Sequence, residues 1–242
     1  MTLSYRVFTD MGDREVNEDS VGEIKSNGGH IFVVADGLGG HGHGEVASAI
    51  AVKTCLDIFA GGNDTNVIEK SFNLAQKRIL QEQEHNPALE DMKTTMVTLI
   101  INNDKAVWGH IGDSRLYYFK GGKIKKQTLD HSVPQMLVNL GEIKPKDIRG
   151  HEDRNRLLRV IGSPWEKKSY EMEKEITIKK NDAFLLCTDG FWELVDEKFM
   201  QKSLKKAGSV EEWMDLMLGE VAKNGADVNM DNYTAIAIWV SK

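Results

Sequence analysis

The chain has 242 residues, of which 40% are apolar and 28% charged, a balance typical of a globular domain that buries its core without disulfides. Its 37 acidic and 31 basic residues give a formal net charge of −6, which argues against a protein held on nucleic acid or on an anionic membrane by a basic surface. No stretch has the ~18 consecutive apolar residues of a transmembrane helix and the start lacks the apolar core of a signal peptide, so we expect a cytoplasmic protein.

Hydrophobic patterning predicts strands and helices in an irregular order. In chain order they are an opening strand near 2–7, a buried strand over 31–35, helices over 45–59 and 66–84, strands over 96–101, 106–111, 116–119 and 123–128, a buried strand over 183–187, a helix over 210–223 and a closing strand over 233–240. Hairpin-connected strands between early and late helices do not form the strand–helix alternation of a parallel sheet. The order therefore predicts an α+β fold with antiparallel sheets.

The composition shows no linker that would divide the chain. We therefore predict a single domain over residues 1–242. The polar segment from about 141 to 165, which includes Pro145 and Pro164, is predicted to be a mobile surface flap. Cys55 and Cys187 lie in apolar segments and are predicted to be reduced core thiols.

Several acidic residues stand at the ends of predicted strands. They are Asp36, Asp113, Asp189 and Asp231, and Glu18 and Asp19 add two adjacent acids nearer the start. Clustered carboxylates repel one another unless a cation compensates them, and Mg²⁺ and Mn²⁺ prefer oxygen ligands. Two such ions ~3.5–4 Å apart can activate water and bind a phosphoryl group. Asp-Gly pairs are also common in turns, so the pattern alone leaves a metal site and ordinary turns both open.

A glycine-rich run offers a rival interpretation. The run Gly37-Leu38-Gly39-Gly40-His41-Gly42 matches the G-x-G-x-x-G fingerprint of dinucleotide-binding oxidoreductases. Asp36 would point a negative charge at the pyrophosphate, and Asp57, at the distance of the expected ribose-binding acid, lies in a predicted helix rather than at a strand end. The dinucleotide enzyme is therefore the less favoured alternative, and no P-loop motif is present.

Six short motifs follow one another along the chain. They are Arg14-x-x-Asn17-Glu18-Asp19, then Val34-Ala35-Asp36-Gly37-Leu38-Gly39-Gly40-His41, then Gly109-His110-Ile111-Gly112-Asp113-Ser114-Arg115, then Asp130-His131-Ser132, then Cys187-Thr188-Asp189-Gly190, and finally Asp231-Asn232. In this order and spacing, over about residues 5–240, they resemble the motifs of the metal-dependent serine/threonine protein phosphatases. This is the type 2C, or PPM, family, and the chain is most similar to its compact bacterial members.

The resemblance implies both a fold and a reaction. The fold would be two antiparallel sheets packed as a central sandwich, flanked by helix pairs on both sides. The reaction would be hydrolysis of phosphoserine and phosphothreonine monoesters on proteins. A water bridging two Mn²⁺ or Mg²⁺ ions would attack phosphorus without a covalent phosphoenzyme. The expected partners are phosphorylated proteins and a cognate serine/threonine kinase, and we expect a monomer.

The resemblance also assigns roles to individual residues. Asp36 would bridge both ions, and the carbonyl of Gly37 would bind one of them. Asp189 and Asp231 would bind the other ion. The remaining assignments are that Glu18 and Asp19 act through water molecules or support the ligands, that Asp113 joins Asp189 at a third ion, and that Arg14 binds the substrate phosphate.

The proton donor for the leaving oxygen stays open. Animal members of the family have a histidine, a proposed general acid, where this chain has Leu38. His41 is our candidate general acid, His43 lies near it, and a metal-bound water is the competing candidate. A catalytically weak pseudo-phosphatase that only binds phosphoproteins would lack metal-binding acids. None of these acids is missing here, so the hydrolase is favoured over the binding protein.

Overall fold

Two antiparallel β-sheets pack face to face, and helices cover their outer faces. The computed structural model describes residues 2–26, 29–39, 43–62 and 66–241. In both sheets every strand pair is antiparallel, which confirms the predicted α+β class and is unlike the parallel sheet that a dinucleotide-binding enzyme would need.

The first sheet has five strands in the order β1-β13-β12-β8-β9. These are β1 (Leu3–Asp10), β13 (Tyr233–Val240), β12 (Ala183–Cys187), β8 (Arg115–Lys120) and β9 (Lys123–Gln127). A hairpin turn at Gly121-Gly122 joins the last two, with both glycines at positive φ. The two termini of the chain thus meet in neighbouring strands, because β1 pairs with β13 along its whole length.

The second sheet has the order β10-β7-β6-β3-β2, with β11 also paired to β7. Its strands are β2 (Ser20–Ser26), β3 (Gly29–Ala35), β6 (Met96–Asn102), β7 (Lys105–Ile111), β10 (Glu171–Met172) and β11 (Ile176–Thr177). A separate two-stranded ribbon pairs β4 (Gly37–Leu38) with β5 (Lys93–Thr94). This ribbon follows β3 directly and holds the segment after Asp36.

The helices form the outer layers. They are α1 (Gly44–Ala60), α2 (Val67–His85), α3 (Val133–Leu140), α4 (Asp189–Trp192), α5 (Glu197–Lys206) and α6 (Val210–Gly225), and short 3-10 helices lie at Pro87–Leu89 and Pro145–Gly150. The first two cover the second sheet, and the last two cover the first sheet. Among the helices that the structure describes, none is long and apolar enough to cross a membrane.

The alternation of side chains along β12 explains why its sequence is wholly apolar. Phe184 and Leu186 point into the core between the sheets, whereas Leu185 and Cys187 point into the core under the outer helices. A strand buried on both faces needs apolar residues at every position, and this removes the period-2 pattern. Cys187 therefore lies in the core, as predicted, and like Cys55 it is a free thiol.

Several elements of the structure were not predicted from the sequence. They are the helices α3, α4 and α5, the strand β2 and the two-residue strands. Segments as short as α4 and the two-residue strands carry no measurable periodicity. The predicted flap segment contains the 3-10 helix Pro145–Gly150, and Ile161 bridges back to Thr94.

The core between the sheets makes a stability prediction. Phe184 is fully buried, with its ring 5.0 Å from that of Tyr118, so Phe184→Ala should lower the free energy of unfolding by about 3–5 kcal/mol. Urea denaturation checks this, with Val7→Ala as the control, because that side chain is 37% exposed and its loss should change stability by less than about 0.5 kcal/mol. Equal losses in the two variants would contradict the layered core.

Candidate metal centre

Antiparallel pairing brings the ends of several strands to one edge of the sandwich. Cys187, which ends β12, pairs with Ala235 near the start of β13 and with Arg115 at the start of β8. In the second sheet, Ile111 at the end of β7 pairs with Met96. The acidic residues that follow or precede these positions are thereby gathered at one end of the molecule.

A cleft of about 610 Å³ opens at this end. Its lining contains most of the predicted site residues: Arg14, Glu15, Val16, Glu18, Asp36, Gly37, Leu38, Gly39, Asp113, Asn155, Leu157, Asp189, Asp231 and Asn232. Residues that are distant in sequence, from both sheets and from the predicted flap, therefore share one cavity.

The backbone of Asp36 is fixed by two neighbouring threonines. Thr95 both donates its N–H to the Asp36 carbonyl and accepts the Asp36 N–H at Oγ1, each at 2.9 Å. The hydroxyl of Thr94 donates to the same carbonyl at 2.7 Å. Gly37 follows, and a Cβ there would lie 2.3 Å from the backbone of Gly44. Glycine is therefore required here by close packing of two backbone segments.

Asp189 and Asp231 belong to adjacent segments. The Asp189 carboxylate accepts the N–H of Gly190 at 2.7 Å, and a Cβ on Gly190 would lie 2.2 Å from the carbonyl oxygen of Asn232. The Asp231 carboxylate accepts a hydrogen bond from Arg14 Nη2 at 2.8 Å. Arg14 is half exposed, so the guanidinium lies at the rim of the cleft beside a predicted metal ligand.

Asp113 follows a tight turn. Gly112 has a φ of +91°, and a Cβ there would clash with the side chain of Thr95. Ser114 shares a 2.7 Å hydrogen bond with the Thr95 hydroxyl, and the indole N–H of Trp192 donates to the Asp113 carbonyl at 3.0 Å. Thr95 thus fixes both the Asp36 and the Asp113 segments.

Glu18 and Asp19 lie at the inner side of the cluster. Asp19 is 8% exposed, and its Oδ2 accepts the hydroxyl proton of Thr188 at 2.8 Å. Its Oδ1 is buried and has no hydrogen-bond partner. Glu18 accepts the N–H of Gly44 at the start of α1, and its own N–H donates to Asn232 Oδ1. A buried carboxylate oxygen without a partner is costly, and a cation would relieve that cost.

The acids raise one another's pKa values. Burial is the largest cause throughout. It raises the pKa of Asp19 to about 7 with help from the charges of Asp189 and Asp231. The pKa of Asp36 lies well above its usual value, because of burial and then the charges of Asp189, Asp19 and Asp113. Burial and the Asp189 charge likewise raise the pKa of Asp113, and burial and the Asp231 charge raise that of Asp189. These residues fit divalent cations. Their carboxylate oxygens are the hard ligands that such cations prefer, and a bound cation would stabilise the ionised form that burial disfavours.

A second group of possible ligands lies beside the turn at Gly112, outside the lining of the cleft. Ligand atoms of His110, His131 and Glu171 lie within 4.8 Å of one another. Nδ1 of His131 accepts the N–H of Gly112, however, so the proton of the neutral ring sits on Nε2, 3.4 Å from Glu171. Arg159 also approaches that carboxylate, at 3.6 Å. The nitrogen that would have to bind a metal is protonated, and a cation already faces the carboxylate, so these residues fit a metal less well than the aspartates do.

The structure brings together all the predicted site residues that it describes. His41 lies outside the described residues. His43 directly precedes α1 with a φ of +75°, and its Nδ1 lies 3.7 Å from Glu45 Oε1. Sequence reasoning missed Thr95, Asn232 and Trp192 as supports of the acids. The position of Asn232 directly after Asp231 was the one available signal for any of them.

Known proteins resemble the chain over nearly its whole length. Residues 11–232 match the family described as Protein phosphatase 2C. The serine/threonine phosphatase stp of Listeria welshimeri is 31% identical over 239 residues, which cover 95% of this chain and 93% of that protein. The serine/threonine protein phosphatase PstP of Mycobacterium tuberculosis is 30% identical over 212 residues, which cover 85% of this chain and 39% of that protein.

Solved structures show the same architecture. The serine/threonine phosphatase Stp1 of Staphylococcus aureus superposes with a TM-score of 0.89 at 27% identity, over 100% of this chain and 96% of that one. The catalytic domain of the serine/threonine protein phosphatase PstP, solved in complex with two manganese ions, gives a TM-score of 0.83 at 26% identity, over 99% of each chain.

An acidic cleft at the edge of a β-sandwich is the arrangement that a metal-dependent hydrolase needs. The chain belongs to the protein phosphatase 2C family. Its membership confirms the class expected from the six motifs, a metal-dependent serine/threonine protein phosphatase.

The raised pKa of Asp19 predicts how stability depends on pH in the metal-free protein. Between pH ~4 and ~7 Asp19 is ionised in the unfolded chain but keeps its proton in the folded chain. The contribution of Asp19 to the free energy of unfolding therefore falls with rising pH by about 1.4 kcal/mol per pH unit. Asp19→Asn stays neutral. Its gain in stability over the parent should therefore grow from pH 4 to 7 and then level off.

Urea unfolding in chelator at several pH values measures this difference. Comparison with the parent cancels the contribution of the buried histidines His110 and His131, whose lowered pKa values act in the opposite direction. A difference between variant and parent that is constant with pH would contradict the assignment of a protonated Asp19.

Proposed function

We propose that the aspartate cluster holds two Mn²⁺ or Mg²⁺ ions and that phosphoserine and phosphothreonine esters of proteins are hydrolysed there. The observation that carries this is the number of acids in one cleft. Asp19, Asp36, Asp113 and Asp189 all have raised pKa values, and among the described residues Arg14 at the rim forms an ion pair with Asp231 of the cluster. If all the acids ionised, this one pair would leave most of their negative charge without compensation.

Each acid has a proposed place at the ions. Asp36 bridges the two ions, and the Gly37 carbonyl joins it on one of them. Asp189 and Asp231 hold the other. Asp113, together with Asp189, provides a third position. Glu18 and Asp19 contact the ions through water molecules or support the ligands, a role that fits the partnerless Oδ1 of Asp19.

The protein side chains supply binding and orientation. When bound, the ions lower the pKa of a water molecule and neutralise charge on the phosphoryl group. The guanidinium of Arg14 stands at the cleft rim on Asp231, where it can turn to pair with two phosphoryl oxygens. It would thus hold the phosphorus in line between the attacking water and the leaving oxygen.

The leaving oxygen needs a proton, and we assign the donor to His41. In sequence, His41 follows Leu38 and Gly39, two residues that line the cleft. Leu38 itself carries no proton to give. A water molecule in the cleft is the alternative donor.

The segment 141–165 serves as a flap over this cleft in a single catalytic domain of residues 1–242. Asn155 and Leu157 line the cleft, and Arg154 pairs at 3.1 Å with Glu193, four residues after Asp189. The proposed partners are phosphorylated proteins, among them a cognate serine/threonine kinase. The enzyme is proposed to act as a monomer in the cytoplasm, a setting that the buried free thiols Cys55 and Cys187 support.

Removal of one metal ligand tests the function. With Mn²⁺ present the parent should hydrolyse p-nitrophenyl phosphate and a phosphothreonine peptide, and Asp189→Ala should lower kcat by roughly 100-fold or more. Asp104→Ala is the matched control, because that exposed aspartate lies in the turn between β6 and β7, away from the cleft. A parent without activity would refute the proposed function. Full activity in Asp189→Ala would refute the ligand assignment.

Removal of the rim arginine tests phosphate binding. Arg14→Ala should raise KM for a phosphate ester roughly 10-fold with a smaller change in kcat, if the contact is equally strong in the ground and transition states. A fall in kcat instead would place the contact in the transition state. The control is Arg6→Ala, which breaks a comparable surface pair with Asp215 outside the cleft. Values of kcat and KM equal to those of Arg6→Ala would show that Arg14 does not bind the substrate phosphate.

A further inference from the structure

Trp192 joins the segments that carry two of the proposed metal ligands. It is the last residue of α4, the short helix that begins at Asp189. Its indole N–H crosses to the other segment and donates to the carbonyl oxygen of Asp113 at 3.0 Å. One side chain therefore ties the peptide of Asp113 to the helix of Asp189.

The indole ring has little freedom to move. Trp192 is 2% exposed, and the guanidinium carbon of Arg115 lies 3.3 Å from the ring centroid. Arg115 is itself fixed by two parallel hydrogen bonds to the buried carboxylate of Asp130, at 2.8 and 2.7 Å. Arg149 donates to the Trp192 carbonyl at 3.0 Å. The ring packs on the Arg115–Asp130 ion pair. The two charges of this pair compensate each other, so the support adds no net charge to the cleft.

The position of the Asp113 peptide depends on contacts made by Trp192 and by the residues on either side of Asp113. Gly112 before it has a φ of +91°, which permits a sharp turn but confers no rigidity. The side chain of Ser114 after it bonds to Thr95. The Trp192 bond fixes the peptide between these two restraints, and the direction of that peptide determines where the Asp113 carboxylate points.

We infer that Trp192 is a positioning residue, whose indole N–H orients Asp113 relative to Asp189 and so sets the affinity of the ion that these two acids share. The inference rests on the proposed metal centre. Groups that orient metal ligands without touching the metal commonly change its affinity by about 10–100-fold when they are removed. Simple core packing would give no such effect on metal binding.

The test compares two buried tryptophans. Trp192→Phe keeps an aromatic ring and removes the N–H. Trp213→Phe makes the same change in α6, at a fully buried indole whose N–H donates to the Met200 carbonyl of α5. This bond lies in the core beneath the outer helices. Both variants should lose some stability, and Mn²⁺ binding is then measured by calorimetry on the folded proteins, with Asp113→Asn as the reference for loss of the shared ion.

The expected result is that Trp192→Phe weakens by roughly 10-fold the Mn²⁺ site that Asp113→Asn removes, leaves the other sites and KM unchanged, and raises the Mn²⁺ concentration needed for half-maximal kcat. Trp213→Phe should bind Mn²⁺ as the parent does. Binding in Trp192→Phe that equals that of Trp213→Phe would overturn the inference alone. A parent that binds no Mn²⁺ would overturn the metal centre itself.

A second variant covers the case in which Trp192→Phe does not fold. Benzothienylalanine at position 192 has the shape of tryptophan, with sulfur in place of the N–H, so it removes the hydrogen bond to Asp113 without opening a cavity. It should show the same selective weakening of the Mn²⁺ site that Asp113→Asn removes. Unchanged Mn²⁺ binding in this variant would refute the positioning role.

Discussion

Repulsion among carboxylates that share one poorly solvated cleft is the constraint on which the rest of this structure depends. The antiparallel pairing of β12 with β13, and the exit of β3 at the same edge, bring Asp36, Asp189 and Asp231 together. Burial then works against their ionisation, and a partnerless oxygen on Asp19 adds to the cost. The arrangement is unfavourable for a metal-free protein. It becomes favourable when cations occupy the cleft, because their charge compensates the acids directly.

Apart from Arg14 at the rim, the groups described above as holding the acids in place are neutral or belong to an internal ion pair. Thr95, Thr188 and Asn232 donate or accept hydrogen bonds without bringing a charge. The buried arginine near the site, Arg115, is paired with Asp130 and packs on the ring of Trp192, whose N–H donates to the Asp113 carbonyl. A lysine or arginine in these supporting positions would compete with a metal ion for the carboxylates. Neutral supports fix geometry and leave the negative charge available, which fits metal-dependent hydrolysis in this family.

Much of the fold follows from the sequence, because the long helices and strands carry clear periods and β12 carries an unbroken apolar run. The candidate acids were also predictable, since each stands where a strand begins or ends. The supporting contacts were not, because Thr95 and Trp192 act through partners distant in sequence. The indole N–H of Trp192, for example, reaches Asp113 across 79 residues of sequence. At Gly37 the structure gives a packing reason for glycine, since a Cβ there would lie 2.3 Å from the backbone of Gly44.

Anomalous diffraction from crystals grown with Mn²⁺ tests the central claim, that the carboxylate cluster is a metal centre, most directly. Two strong manganese peaks are expected in the cleft beside Asp36, Asp189 and Asp231, and a weaker third peak beside Asp113. Asp36→Asn crystals should lose the peaks that this residue bridges. Manganese confined to His110, His131 and Glu171, or a cleft without manganese at saturating concentration, would contradict the account.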